Sequence, residues 1–296
     1  MSAAPSDLAG LRRQLDEIDD RVHDLLIERA EIVGEVAASK KADETDRDVA
    51  FYQPAREAQI LRRLAARHRG ALPFATIVRI WREMLAATVR LETPFAVAVF
   101  APAEAQGFWD LARDHYGSHT PMSAYQSIGQ VIRAVTEGRA SAGILPMPQE
   151  GDPDPWWRHL LSEDANAPRV VARLPFGARG NARSDGADAL ALGPGKPQET
   201  GADRTFFATE SAADISRARF LGLLSAADLR CTFFASWEHA AGAVNLVEIE
   251  GFVPAADPRL VGFRARLGAA LHRLVPFGGY ALPLPMTAFS AGTAKG

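Results

Sequence analysis

The stretch LRRQLDEIDDRVHDLLIERAEIVGEVAASK, residues 11–40, decides the fold of the N-terminal part of this chain. Its apolar side chains recur every three or four residues, which is the spacing of one face of an α-helix. They are Leu11, Leu15, Ile18, Val22, Leu25, Ile32 and Val36. The pattern predicts one helix over residues 7–41, about 50 Å long, with a buried apolar face. Such a length is typical of a helical bundle or of helices paired between chains.

Arg29 interrupts this apolar face where its rhythm requires a hydrophobic residue. Burying an unpaired guanidinium is strongly unfavourable. The side chain must therefore face a buried carboxylate of the protein, face an anionic ligand, or extend along the helix surface into solvent. The sequence leaves these three alternatives open.

Two shorter helices follow, predicted over residues 54–69 and 73–92, and the first of them has Pro54 in its first turn. Three helices of such unequal length cannot close a compact core within one chain. Dimerisation supplies the missing surface. Residues 1–92 are therefore predicted to form a helical domain of an intertwined dimer.

Strands and helices alternate from residue 95 onward, so the fold class is multidomain, α followed by α/β. Residues 95–194 are predicted as an α/β domain, followed by a Gly- and Pro-rich linker. Residues 203–285 show the order βαββαβ, which is ferredoxin-like, with a helix expected over residues 257–274. Residues 286–296 are expected to be disordered.

The composition excludes several classes of function. The 33 basic and 36 acidic residues give a net charge of −3, so we expect no nucleic-acid partner. No apolar run is long enough to span a membrane and no signal peptide is evident, so a soluble cytoplasmic protein is expected. One cysteine and seven scattered histidines predict no metal and no cofactor. The arginines Arg62, Arg63, Arg67 and Arg69 are expected on a solvated helix face.

Arg29 and Lys40 are eleven residues apart, which places them within about 20° on one helix face and about 16 Å apart. Their long side chains could converge on one small anion. Arg12 precedes Arg29 by about 25 Å along the helix, so within one chain both cannot hold the same small molecule. Arg12 could serve only a neighbouring chain's site. Thr88 and Glu92 have the spacing i, i+4 and share a helix face.

These stretches, with PAREAQIL (54–61) and IVRIWREMLAATVRLE (77–92), resemble the all-helical, AroQ-type chorismate mutase domain over residues 8–92. The resemblance implies that Arg29 and Arg12 of the partner subunit hold the two carboxylates of chorismate. It implies that Lys40 and Glu92 are aimed at the ether oxygen, and that Thr88 contacts a carboxylate.

The same resemblance gives roles to the start of the second helix. Arg56 would support the site and Glu57 would bind the ring hydroxyl of the substrate. Gln53 stands where the family often has a charged residue.

The chemistry implied by this resemblance needs no nucleophile, general base or metal, because the conversion of chorismate to prephenate is a unimolecular [3,3] rearrangement. Catalysis must select the folded conformer and stabilise negative charge on the breaking C–O bond. Arginines suit the carboxylates and a lysine suits the ether oxygen. Glu92 can donate a hydrogen bond only when it carries a proton, so activity is expected to fall as the pH rises.

The C-terminal half resembles parts of a prephenate dehydratase, through IGQVIRAVTEGRASAGILPMP (128–148), and of its ACT domain, through residues 247–284. The whole chain thus resembles a bifunctional chorismate mutase–prephenate dehydratase in which one dehydratase lobe is missing. The expected Thr-Arg-Phe signature reads Ala187, Asp188, Ala189. A non-catalytic C-terminal half that serves oligomerisation or docking to another pathway enzyme is therefore expected.

Two alternatives to a chorismate mutase of phenylalanine and tyrosine biosynthesis remain open. One is an isochorismate pyruvate lyase on the same helical fold. The other is a non-catalytic regulatory or docking subunit of the aromatic amino-acid pathway. Release of pyruvate would identify the first, and an inactive helical domain would identify the second.

Overall fold

The computed structural model describes residues 7–42, 52–164, 167–181, 183, 188–195, 197–213, 215–240 and 242–292. The helices are α1 Leu8–Ala42, α2 Pro54–Arg67, α3 Phe74–Glu92, α4 Gly107–Tyr116, α5 Ile128–Thr136, α6 Arg217–Ala226 and α7 Pro258–Leu267. The strands are β1 Val97–Phe100, β2 Met122–Tyr125, β3 Ala142–Pro146, β4 Arg169–Leu174, β5 Ala189–Gly193, β6 Asp203–Ser211, β7 Cys231–His239, β8 Gly242–Glu250 and β9 Leu271–Ala281.

The first three helices agree with the sequence prediction to within two residues at each end. Pro54 begins α2 because a proline at the first helical position loses no helical hydrogen bond. The helix ends before Gly70, since the preceding His68 already has an extended backbone. Among the described residues, no helix has both the length and the apolar character needed to cross a membrane.

The apolar face of α1 is largely exposed within one chain, so its predicted burial stays a prediction that depends on a partner subunit. Its side chains retain between 42% and 61% of their full exposure at Leu11, Leu15, Ile18, Val22 and Leu25. The helix packs against α3, while the rest of its apolar face is open. An uncovered apolar surface of this length is unusual for a monomeric protein.

One sheet of nine strands joins the two predicted C-terminal domains, in the order β2-β1-β3-β5-β4-β9-β6-β8-β7. Strand β1 is parallel to β2 and β3, and the pairs β3–β5 and β5–β4 are antiparallel. In the last four strands of this order, β9-β6-β8-β7, each strand is antiparallel to its neighbours. Strands β4 and β9 connect the two halves in parallel at Val170 and Gly278. The predicted domains thus share a continuous sheet.

Gly278 is the residue that lets the two halves of the sheet meet. Its φ is +105°, and a Cβ there would lie 2.2 Å from the carbonyl oxygen and 2.5 Å from the nitrogen of Val170. Residues with a side chain rarely adopt this backbone conformation, and the atoms that a Cβ would overlap belong to the backbone of Val170. Only glycine fits this junction.

We expect Gly278→Ala to destabilise the protein by more than about 3 kcal/mol, because both strain and the backbone overlap must be relieved. The matched control is Gly222→Ala in α6, where a Cβ meets nothing within 4 Å. That change should stabilise the helix by about 0.5–1 kcal/mol. Thermal unfolding midpoints measure both effects, and equal midpoints for the two variants would contradict the assignment.

Two boundary predictions in the C-terminal half are wrong. The last helix ends at Leu267 rather than at residue 274, because Gly268 turns the chain with φ +55° and Leu271 begins β9. The segment Met286–Gly292 forms a 3-10 helix rather than a disordered tail. The Phe289 ring packs 5.7 Å from that of Phe74 and attaches this segment to α3. Residues 293–296 lie outside the described residues.

The helical domain is attached to the sheet by polar contacts as well as by packing. Arg62 was expected in solvent, but its guanidinium donates to Thr200 Oγ1 at 2.7 Å and to the carbonyl oxygens of Ala202 and Leu282, both at 2.8 Å. The predicted linker therefore binds α2. Helix α3 lies against α4, where Glu83 accepts hydrogen bonds from the backbone nitrogen and hydroxyl of Ser118.

Candidate functional site

Four of the predicted site residues come together where α1, α2 and α3 meet. Arg29 and Lys40 are on α1, Arg56 is in the first turn of α2, and Glu92 is the last residue of α3. The Lys40 ammonium donates a hydrogen bond to Glu92 Oε2 at 3.0 Å. Both of these side chains are largely buried. The cluster contains three cations and one carboxylate, so it carries excess positive charge.

Arg29 is half-buried, and its Nη1 is covered with no hydrogen-bond partner among the described residues. Burial lowers the pKa of Arg29, and the nearby charge of Arg56 lowers it further, while the Glu92 carboxylate raises it in part. A covered guanidinium nitrogen without an acceptor is costly. An anion that reached this nitrogen would remove that cost.

Thr88 lies one turn before Glu92 on α3, and Gln53 lies three residues before Arg56. The Thr88 side chain is buried, and its hydroxyl donates to the carbonyl oxygen of Leu85 at 2.8 Å. It would have to rotate before it could donate to a carboxylate. Gln53 immediately precedes α2 and makes no side-chain cap to the helix. Both roles stay predictions.

Arg12 is not part of this cluster within one chain. It lies on the exposed N-terminal half of the same helix as Arg29, about 25 Å away along the helix axis. The structure therefore agrees with the geometric expectation that one chain cannot bring both arginines to one small ligand.

Glu57 lies in a second, buried cluster. Its Oε2 accepts a hydrogen bond from Arg82 Nη1 at 2.7 Å. Burial raises the pKa of Glu57, and the Arg82 guanidinium opposes that shift. One carboxylate oxygen thus has a protein partner, and the predicted contact with a substrate hydroxyl stays a prediction.

Arg82 and His115 complete this second cluster, and both are absent from the sequence prediction. Arg82 is only 4% exposed. Its Nη1 lies 3.4 Å from His115 Nε2, and its guanidinium lies 5.3 Å from the centre of the Phe176 ring. Burial, with the charge of Arg82, holds the pKa of His115 well below its ordinary value.

A signal for Arg82 is present in the sequence. It falls within the buried face of α3, which also contains Val78, Leu85 and Val89. Arg82 in α3, like Arg29 in α1, thus stands at a position where the helical period favours an apolar residue.

The first cluster is suited to an organic anion. Within the part of the chain that the structure describes, no three His, Cys, Asp or Glu side chains are grouped so that they could hold a metal ion. Arginine and lysine donors can bind carboxylates and stabilise an oxygen that gains negative charge.

Residues 11–93 match the family model of chorismate mutase type II. The chain is 33% identical, over 141 residues, to a bifunctional chorismate mutase/prephenate dehydratase of Stutzerimonas stutzeri, which covers 47% of this chain and 38% of that protein. It is 31% identical, over 149 residues, to the protein with the same description from Pseudomonas aeruginosa, which covers 49% and 40%. The matches thus span about two fifths of the length of these curated relatives.

A solved prephenate dehydratase from Arthrobacter aurescens, in complex with L-Phe, is similar over 68% of this chain and 96% of its own. The sequence identity is 13% and the TM-score is 0.47. A TM-score below 0.5 does not by itself establish a common fold.

Proposed function

We propose that this chain is a chorismate mutase that rearranges chorismate to prephenate in the biosynthesis of phenylalanine and tyrosine. The observation that carries the proposal is the position of Arg29. Its covered, partnerless Nη1 lies beside Arg56 and the Lys40–Glu92 pair, within the helices that match the chorismate mutase type II family.

Each cation of the cluster has a role in this reaction. Arg29 would bind one carboxylate of the substrate and fix the folded conformer, which converts binding energy into correct orientation. Lys40 would donate to the ether oxygen, where negative charge develops as the C–O bond breaks. Arg56 would add positive potential at the start of α2. The rearrangement itself is intramolecular, so the protein contributes positioning and electrostatic stabilisation.

A homodimer would complete the site. The open apolar face of α1 supports association with a second copy, because burying the exposed half of each such side chain is worth on the order of 1 kcal/mol. In a two-fold dimer, Arg12 of the partner subunit would bind the second carboxylate of chorismate. In this arrangement Arg12 would act in the site of the neighbouring subunit, because it lies about 25 Å from the cluster of its own chain.

The direct test incubates the full chain separately with chorismate and with isochorismate. We expect prephenate from chorismate and no pyruvate from isochorismate. Pyruvate from isochorismate would favour a lyase, and no turnover of chorismate would contradict the proposal.

Glu92 lies where the proposed mechanism needs a hydrogen-bond donor to the ether oxygen. It must carry a proton to donate there, whereas its ionised form pairs with Lys40 at 3.0 Å. The amide of glutamine donates without needing an added proton, so Glu92→Gln is expected to turn over chorismate about tenfold faster than wild type. Steady-state kinetics at neutral pH provide the measurement.

The matched control for this experiment is Glu83→Gln, on the same helix. Glu83 is exposed and bonds Ser118 away from the cluster. Its replacement should leave the rate of wild type unchanged. A Glu92→Gln rate equal to or below that of wild type would remove the proposed donor role of Glu92 from the mechanism.

We further infer that the C-terminal half is a non-catalytic, dehydratase- and ACT-like region that serves assembly or docking to another pathway enzyme. Its last four strands, in the order β9-β6-β8-β7, with connecting helices α6 and α7, support a ferredoxin-like arrangement. At the signature position, Asp188 is paired with Arg173 and Arg179, and Ala189 is buried in β5. Ala187 lies outside the described residues.

A further inference from the structure

The buried cluster of Glu57, Arg82 and His115 connects the helical domain to the α/β region. Glu57 belongs to α2, Arg82 to α3 and His115 to α4. All three side chains are buried, in contrast to the more exposed Arg79–Asp114 ion pair between α3 and α4. A buried pair of this kind is seldom a net source of stability, because desolvation offsets the attraction. Its presence therefore calls for a role other than stability.

The α/β region holds Arg82 from one side. The lowered pKa of His115 keeps its imidazole neutral, so its Nε2 can accept a hydrogen bond from Arg82 Nη1, 3.4 Å away. The Phe176 ring, which follows β4, covers the guanidinium at 5.3 Å. These contacts leave the guanidinium little freedom to turn.

Arg82 in turn holds the first turn of α2. Its 2.7 Å hydrogen bond fixes the carboxylate of Glu57, the residue directly after Arg56. Arg56 lies close enough to Arg29 to change its pKa. The position of the first turn of α2 therefore affects the positive charge that surrounds the anion site.

We propose that Arg82 and His115 are positioning residues through which the α/β region sets the place of Glu57 and Arg56 in the substrate site. The C-terminal half then contributes to the mutase reaction by positioning residues of the substrate site, even without an activity of its own. This inference rests on the proposed function. A positioning role of this kind means that the contact between α3 and α4 affects substrate affinity more than it affects the rate of the chemical step.

The test measures KM and kcat for chorismate with the full chain. We expect Arg82→Gln to raise KM at least about threefold with a smaller change in kcat. Arg82 and Glu57 are in contact, and residues in contact are energetically coupled, so losing the Arg82 guanidinium should disturb Glu57 in the substrate site. His115→Phe should act in the same direction, and Arg82→Lys should restore part of the affinity. In a Glu57→Gln background, Arg82→Gln should add little, since the residue it positions is already altered.

Arg79→Gln is the matched control. Arg79 lies on α3 one turn before Arg82 and pairs with Asp114 of α4, so it crosses the same boundary without touching Glu57. We expect its KM to equal that of wild type. An equal rise in KM for Arg79→Gln and Arg82→Gln would overturn the inference, because any loosening of the boundary would then suffice.

Thermal unfolding of each variant separates folding from positioning. If Arg82→Gln does not fold, Arg82→Lys and His115→Phe carry the test, and an unchanged KM in both overturns the inference. The proposed function fails on a different result, namely no turnover of chorismate by wild type. Turnover that is lost with Arg29→Ala and unaffected by every Arg82 and His115 variant rejects the positioning role alone.

Discussion

Arg29→Ala is expected to lower kcat/KM for chorismate by about a hundredfold to a thousandfold, the loss typical of removing a preorganised hydrogen-bond donor from an active site. Arg29 provides a half-buried guanidinium with a covered nitrogen that no described residue binds. Alanine would remove both the carboxylate contact and the positive charge beside Arg56 and Glu92. The measurement is the steady-state rate of chorismate disappearance with identification of prephenate.

The control is Arg21→Ala, because Arg21 is an exposed arginine on the same helix. It should retain wild-type kinetics and show that the loss does not come from a weakened helix. Wild-type activity in Arg29→Ala would remove this residue from the site, and the proposal would lose its main support.

Arg12→Ala extends the experiment to the dimer. Alone, it should also be inactive, since each site would lack the arginine of the partner subunit. Mixing Arg12→Ala and Arg29→Ala chains should restore about a quarter of the activity, because half of randomly formed dimers are mixed and each has one complete site. No recovery from subunits shown to exchange would contradict a shared site.

The second large effect is expected on the open apolar face of α1. The double variant Ile18→Glu, Val22→Glu places two charges where each native side chain is 50% exposed in the single chain. Burying these charges between two helices would be strongly unfavourable. We therefore expect loss of the dimer and a fall of more than about a hundredfold in mutase activity, because the site would lose Arg12. Sedimentation velocity and the mutase assay measure the two outcomes.

Arg13→Glu is the matched control for this experiment. It changes the charge of an exposed residue on an earlier turn of α1, on the polar side of the helix. Dimerisation should survive this change. A double variant that stays dimeric and active would show that the apolar face is not the interface.

The sequence by itself determined the features that depend on neighbours along the chain. The period of three to four residues gave α1, α2 and α3 nearly complete, and the break in that period identified Arg29. Helical geometry also separated Arg12 from Arg29 within one chain. These predictions hold because helix formation and the angle between residues on a helix are local properties.

The tertiary structure alone decided which distant residues meet. Lys40 pairs with Glu92, and Arg82 contacts both Glu57 and His115. Val170 meets Gly278 and makes one sheet from two predicted domains. Within one chain, the tertiary structure also leaves the apolar face of α1 exposed, although the sequence pattern of that face predicts burial. The physical reason is that periodicity identifies the face of an element that needs a partner, whereas the partner itself depends on packing between residues far apart in the chain.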